Sequence, residues 1–441
     1  MVGWLLAVPV VIKVFSALAL VLVLNAYGRH LAESLLAGTL LLAFWCGHTP
    51  AAIVRIACDR TFSVDHFLLL LVTTQVIWLS SQMAKAGVMR DLVLAVGRRL
   101  PQRMAIAVLP ALIGLLPMPG GALFSAPLVD DCDHAKSIDS ELKTRINYWF
   151  RHVWEYWWPL YPGVLLMLAI TGIDVWQIVL LHLPLSVVAV AVGAFFLLRK
   201  IPRQEEREAD GAPLPEPANA DSLPALLAPV FAVIGVYAVI KVGVKPLAEI
   251  NRYVPMIIGI GVAILLQQVR RPLGWSDWRG ILLSRRTLML ALLVTMVRVY
   301  GAFIEAPLPG TGGELLVERM QTEFRSWGIP VLAVASLIPF VCGVATGLAI
   351  GFVGASFPIV MSVLGANPTP AALYATTILA YGFGYMGMIL SPVHICLIVT
   401  NEHFETSLTR SLRGLTRPAL VVMVFTFVYS RVVGLALERM L

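Results

Sequence analysis

Apolar stretches of about twenty residues, each closed by a short polar or basic cluster, follow one another along almost the whole chain. A helix needs about 20 consecutive apolar residues to cross the ~30 Å hydrocarbon core of a bilayer. Ten stretches approach that length, near residues 3–25, 31–54, 65–84, 147–171, 176–198, 224–244, 254–269, 287–306, 372–400 and 418–438. Two further apolar segments, 104–131 and 329–363, are different, because Gly and Pro split each into two limbs. A limb of roughly a dozen residues reaches only about 18 Å at ~1.5 Å per residue and cannot span. The economical reading is a re-entrant hairpin that enters and leaves on one side, with the two tips meeting near the midplane.

The pattern is also written twice. Val11-Ile12-Lys13-Val14 returns as Val239-Ile240-Lys241-Val242, Pro110 as Pro339, Pro127 as Pro358 and Pro162 as Pro392, at offsets of 228, 229, 231 and 230 residues. Corresponding Gly/Pro-interrupted segments in two halves of a membrane protein are a sequence pointer to a transport site. Between the halves, residues 201–223 are charged and Pro-rich without an apolar period, which reads as a solvated cytoplasmic linker.

Charge sets the orientation. With the Arg-rich loops inside, 21 basic residues fall on the cytoplasmic side and seven outside. Both termini are then outside, in a plasma (inner) membrane protein. Five spans per half force the second copy to lie upside down relative to the first. The expected fold class is therefore an all-α polytopic membrane protein of two inverted repeats of five spans, each with a re-entrant hairpin and a broken helix. Residues 1–200 form the first repeat (hairpin 104–131, broken helix 147–171) and 224–441 the second (hairpin 329–363, broken helix 372–400).

Composition agrees. Hydrophobic residues make up 59% of the 441 and charged residues only 13%, against about 25% charged in a soluble domain; the mean hydropathy is +0.83. The first run has no basic leader and no small-residue cleavage site, so it reads as a retained helix. The net charge of +7 records orientation and implies no nucleic acid. Cys46, Cys58, Cys132, Cys342 and Cys396 are scattered singly, with no CxxC or Cys/His ligand spacing, and read as free structural thiols. No metal or other cofactor is expected.

Candidate chemistry collects at the interruptions, since non-helical backbone at membrane depth is tolerated only where protein or a watery cavity satisfies it. In the first hairpin these residues are Pro119, Gly120, Gly121 and Ser125, and in the second Thr346, Gly347 and Ser356. Half-helix N-termini attract anions and carbonyl ends attract cations. The plainer alternative is that the glycines permit close helix packing. On the first broken helix lie Arg151, His152 and Glu155, with Arg151 and Glu155 spaced to pair across one helical turn. Intramembrane charges are functional candidates by default. This segment also starts the span, and Trp154, Tyr156, Trp157 and Trp158 suit an interfacial belt, so substrate contact and anchoring both fit. On the second broken helix, Ser391 and His394 fall near Pro392, where a neutral imidazole can bind substrate or relay protons. Lys13 and Lys241 hold equivalent places, which favours architecture over binding. His48, His182, Arg298 and Glu305 lie in or near spans without a specified role.

Through WLSS (78–81), PMPGGALFSAPLV (117–129), NYWFRHVWEYWWPLYPG (147–163) and GYMGMILSPVHICLIVTNEHF (384–404), nearly the whole chain resembles the membrane family catalogued as domain of unknown function 401. More distantly it is similar to the ion transporter superfamily of anion and sodium-linked carriers. That resemblance implies inverted repeats, two re-entrant hairpins, a homodimeric scaffold and an elevator-like motion of the hairpin domain. Sodium-coupled dicarboxylate members carry Ser-Asn-Thr at the hairpin tips, and neither hairpin here has that triplet.

The expected function is secondary active transport of a small anionic, carboxylate-like solute, with Glu155, His394 and Arg151 as coupling candidates and H+ favoured over Na+. A sodium-coupled carrier and a cation/proton antiporter are the alternatives in kind. A membrane-embedded enzyme would need a GxSxG, HExxH, Cys/His cluster or nucleotide loop, and the sequence has none. A channel would line one continuous pore, whereas two opposed hairpins suit alternating access.

Overall fold

The structure is a computed structural model that describes residues 8–97, 99–115, 117, 121–133, 136–201, 222–365 and 367–440. The expected tip residues Pro119 and Gly120 and nearly all of the expected linker lie outside the described residues. The first half runs α1 (Val10–Ala26), α2 (Leu31–Trp45), α3 (Pro50–Thr61), α4 (Val64–Lys85), α5 (Val88–Gly97), α6 (Gln102–Gly114), α7 (Ala122–Asp131), α8 (Ser140–Arg151), α9 (Pro162–Thr171) and α10 (Val175–Phe196). The second runs α11 (Leu223–Gly243), α12 (Lys245–Ile250), α13 (Val254–Arg270), α14 (Trp275–Leu282), α15 (Arg285–Ile304), α16 (Leu316–Ser326), α17 (Val331–Thr346), α18 (Ala349–Leu364), α19 (Pro370–Ile389), α20 (Ile395–Phe404) and α21 (Leu408–Met440). Among the described residues, β pairing is limited to one isolated bridge between Pro307 and Leu315.

Helix starts follow local chemistry. The side chains of Thr49, Ser63, Ser284 and Thr369 accept hydrogen bonds from the first-turn amides of α3, α4, α15 and α19, satisfying donors that have no intrahelical partner. Two helices end on a left-handed glycine, α9 at Gly172 and α17 at Gly347, the conformation that glycine adopts without penalty.

Among the described residues, six helical segments are long and apolar enough to cross a membrane: α4, Val175–Lys200, α11, Trp275–Ile304, α19 and α21. The other four expected runs fold into shorter pieces. Residues 31–54 break at Cys46–Thr49 before α3, and 147–171 breaks between α8 and α9. The runs near 3–25 and 254–269 yield α1 and α13, of 17 residues each. Both Gly/Pro-split segments form two helices packed on each other, α6 with α7 and α17 with α18. Their interiors carry Pro110, Pro127, Pro339 and Pro358. At 13 and 16 residues, α6 and α17 reach about 20 and 24 Å, short of the ~30 Å core.

Pairings in one half recur in the other. Helix α1 packs on α2 as α11 packs on α13; α6 and α7 pack on α8 as α17 and α18 pack on α19. The exchange between halves is matched too: α7 contacts α20 while α18 contacts α9, and α2 contacts α15 while α13 contacts α4. The two opening lysines differ in surroundings. Lys13 is 3% exposed, whereas Lys241 pairs with Asp174 at 3.3 Å.

The tightest of these interfaces, α17 on α19, exists because glycines let backbones touch. A methyl group on Gly343 would collide with the Gly384 carbonyl, and one on Gly387 with the Phe340 carbonyl. Backbone cannot step aside as a side chain can. Gly387→Ala is therefore expected to cost about 1–3 kcal/mol, read as a lowered thermal midpoint of the detergent-purified protein. Gly235→Ala, with nothing within 4 Å of the new methyl, is expected to be neutral or slightly stabilising. Equal midpoints for the two variants would contradict the packing account.

Candidate functional site

Helix α8 stops at Arg151 and α9 begins at Pro162, leaving ten residues of turns inside the protein. Carbonyls released by that break need partners, and side chains from two other helices supply them. From α19, the Tyr385 hydroxyl donates to the His152 carbonyl at 2.5 Å and Tyr381 to that of Glu155 at 2.7 Å. From α10, Ser186 donates to Val153 at 2.5 Å, and the His182 Nδ1 lies 2.9 Å from the Tyr156 carbonyl. The break in turn closes the end of α6: Trp154 and Trp158 donate their indole N–H groups to the carbonyls of Ala111 and Leu115 at 2.8 and 2.9 Å, and Tyr161 donates to that of Gly114. The aromatic cluster that resembles an interfacial belt therefore terminates a helix and seals a break.

In each half, glycines at the inner ends of the paired helices rest on the break. In the first, a methyl group on Gly121 would fall on the Arg151 guanidinium, and one on Gly114 would meet the Arg151 carbonyl. In the second, a methyl group on Gly347 would come within 3.0 Å of the His394 amide nitrogen and of Ser391 Oγ. Ser391 also donates to the Val344 carbonyl at 2.6 Å, while Asn25 donates to that of Ala345 at 3.1 Å.

Between the two breaks the side chains of α8 and α20 meet. The Tyr148, His152 and His394 rings stack edge to face, with centroids 4.8, 4.9 and 5.2 Å apart. The Tyr148 hydroxyl donates to the Ile389 carbonyl at 3.1 Å, and Asn147 donates to Thr400 at 3.1 Å. Arg151 and His152 are each 3% exposed. His152 Nε2 lies 3.8 Å from Glu155 Oε1. Cys396, the second residue of α20, hydrogen-bonds with His152 and Arg151. A buried charge survives in such a place only when paired and hydrogen-bonded, and the Glu155 carboxylate, Tyr161 and Cys396 all lie within electrostatic reach of Arg151.

Several sequence-based candidates converge here and others do not. Gly121, Arg151, Glu155, Ser391 and His394 surround the crossing, with Gly347 on its far side. Ser125 is fully buried, and its hydroxyl meets no hydrogen-bond partner among the described residues. Thr346 and Ser356 instead spend their hydroxyls on their own helices, donating to Cys342 and Phe352 at 2.7 and 2.6 Å. The helical pairing expected of Arg151 and Glu155 is corrected, because α8 ends at Arg151 and the next residues turn away from helical register. Sequence reasoning missed Tyr148, Tyr381, Tyr385 and Ser186, which carry the break. The one available signal was the four-residue spacing of Tyr381 and Tyr385 on one face of an apolar helix. It also took Cys396 for a structural thiol without ligand neighbours, yet folding gathers it with His152 and His394 so that one ligand atom from each lies within 4.8 Å of the others.

Room for a solute lies elsewhere. The flank of the crossing, lined by Trp149, His152, Tyr156 and Tyr385, encloses only about 10 Å³. A cavity of about 560 Å³ opens between the end of α9, α15 and α18, with Arg60, Arg298, Glu305, Ser362 and Asn367 among its lining. Its arginines are neutralised, Arg60 by Glu305 and Arg298 by Asp65 at 3.0 Å.

Comparison with curated proteins finds no match. Residues 5–433 match the family described as "Protein of unknown function (DUF401)". A match over nearly the full length of this helical, apolar chain places it in that family: the protein is a member of the DUF401 family.

Proposed function

We propose that the protein is a secondary active transporter of a small anionic, carboxylate-like solute, bound where the two hairpin tips meet the two broken helices. The observation that carries the reading is the Arg151 guanidinium, buried against Gly121 at the tip of one hairpin and beside the break of its own helix. A fixed, planar cation with several donors suits a carboxylate, and burial raises the strength of the contact while demanding a compensating charge.

Support for an inverted-repeat carrier comes from the matched helix pairings and from the four constant sequence offsets, in agreement with the general build of such transporters. On this reading α6–α7 and α17–α18 are re-entrant hairpins, the ten spans include the shorter helices, and both termini lie outside in the plasma membrane. The scaffold helices pair as a homodimer. The flank of the crossing encloses only about 10 Å³, so on this reading binding requires a hairpin to lift, and the 560 Å³ cavity beside α18 is the approach from the Glu305 side. An elevator-like shift of the hairpin domain against α4, α13 and α15 then exposes the crossing to each side in turn. Glu155 and His394, flanking Arg151, serve as proton carriers in this scheme.

Counterflow into proteoliposomes, tested with a panel of small mono- and dicarboxylates, measures the activity. Arg151→Gln is expected to lower uptake at least about tenfold, the equivalent of ~1.4 kcal/mol of lost binding, and Arg151→Lys to restore part of it. Unchanged flux in Arg151→Gln would remove the guanidinium from the site. Gly121→Ala, whose methyl displaces the guanidinium, is expected to raise KM with little change in protein yield. For coupling, uptake driven by an imposed pH gradient should disappear in Glu155→Gln. Uptake driven by a sodium gradient alone, and indifferent to that substitution, would establish sodium coupling instead.

A further inference from the structure

We propose that His152, His394 and Cys396 form a binding site for one soft, monovalent metal ion of the Cu(I) class, at the crossing of the two broken helices. The three residues come from both halves of the chain, and each is buried. Because their ligand atoms lie within 4.8 Å of one another, some point is within about 2.8 Å of all three. Metal–nitrogen and metal–sulfur bonds of about 2.0 and 2.3 Å then need each side chain to close in by well under 1 Å.

Hydrogen bonding leaves one ring nitrogen of each histidine open to a ligand. His152 Nδ1 lies 2.6 Å from the Tyr148 carbonyl. A carbonyl only accepts, so that nitrogen carries the proton and Nε2 presents a lone pair. For His394, Nδ1 is buried without a hydrogen-bond partner among the described residues, so that nitrogen is open to a ligand. Metal-binding histidines are held in this way, the second ring nitrogen donating to a backbone carbonyl or carboxylate. A buried imidazole nitrogen without a partner is otherwise costly.

Ligand type and local charge select the ion. One thiolate and two imidazoles in a three-coordinate set suit soft or borderline ions such as Cu(I) and Zn(II). Coordination requires the thiolate, so the ion replaces the Cys396 thiol proton, which leaves to solvent; neither metal nor sulfur changes oxidation state. A monovalent ion thus leaves the local charge unchanged. A divalent ion adds one positive charge beside the Arg151 guanidinium, in an interior where uncompensated charge is expensive. The site stands independently of the transport reading, because it needs no solute and no motion.

The full-length protein in detergent is titrated anaerobically with Cu(I) against a chromophoric chelator, and in parallel with Ag(I), which is redox-inert. One ion per chain is expected for the wild type and for Cys58→Ser, which removes the exposed thiol. Cys396→Ser and His394→Gln are expected to lose affinity by at least about 100-fold. X-ray absorption of the wild type carrying one equivalent should show one sulfur and two imidazole nitrogens. Full stoichiometry and affinity in folded Cys396→Ser, a sulfur-only spectrum, or no ion held against the chelator would overturn the proposal. Should both variants fail to fold, the wild-type spectrum alone decides between an imidazole–thiolate site and binding at other cysteines.

Discussion

Backbone carbonyls released inside an apolar protein have to be met by some donor, and the arrangement around the first break follows from that requirement. Four carbonyls between His152 and Tyr156 are taken up by Tyr385, Ser186, Tyr381 and His182. Two of the donors come from α10 and two from α19, so the break hangs between helices from opposite halves. The same segment then supplies Trp154, Trp158 and Tyr161 to the end of α6. Removing one partner of such a buried pair costs about 1–3 kcal/mol. The end of α6 and the break are therefore linked as one unit, through bonds that a small movement would have to break together or carry along together.

Charge is distributed in keeping with that division. Other helices neutralise theirs across elements: Asp65 faces Arg298 at 3.0 Å and Arg252 at 3.9 Å, and Asp91 faces Arg271 at 2.7 Å. At the base of the first hairpin, Lys143 reaches Asp130 and Asp133 at 2.6 and 3.5 Å. The crossing is instead dominated by rings and hydroxyls, with Arg151 as its buried cation. Arg151 and Glu155, set among rings and hydroxyls, make the electrostatics of that region responsive to whatever approaches it.

Much of the architecture was legible because it rests on spacing. Apolar period gave the helical class, and Gly and Pro located both split segments and both breaks to within a few residues, as with α17 and α18 against an expected 329–363. Periodicity could not tell a continuous span from two short helices, which is why 31–54 read as a single crossing. Local residue type also singled out Gly121, Arg151, Ser391 and His394, which lie around the crossing. What it could not reach were partners set by tertiary contact. Nothing near Cys396 in sequence announces His152, 244 positions earlier, and a buried Tyr at 385 looks like packing until the carbonyl it serves is known. Thr346 and Ser356 donate to their own helices, because a hydroxyl within an apolar helix has its own preceding turn as the nearest acceptor.

The last helix carries a mechanical consequence. Helix α21 runs unbroken for 33 residues, a rod of about 50 Å, and its first turns are tied to the end of α20. Ser411 and Thr406 both donate to Asn401 Oδ1, at 2.7 and 2.8 Å, and Arg145 from α8 donates to the Arg410 carbonyl. Beyond Pro418 the rod exposes Leu420, Val424, Phe427 and Val432, a greasy outer flank with little protein to resist it. Tilting α20 by a few degrees would swing the far end of α21 by several ångströms through its surroundings. The viscosity and thickness of whatever lies against that flank would then act as a brake on the centre of the molecule.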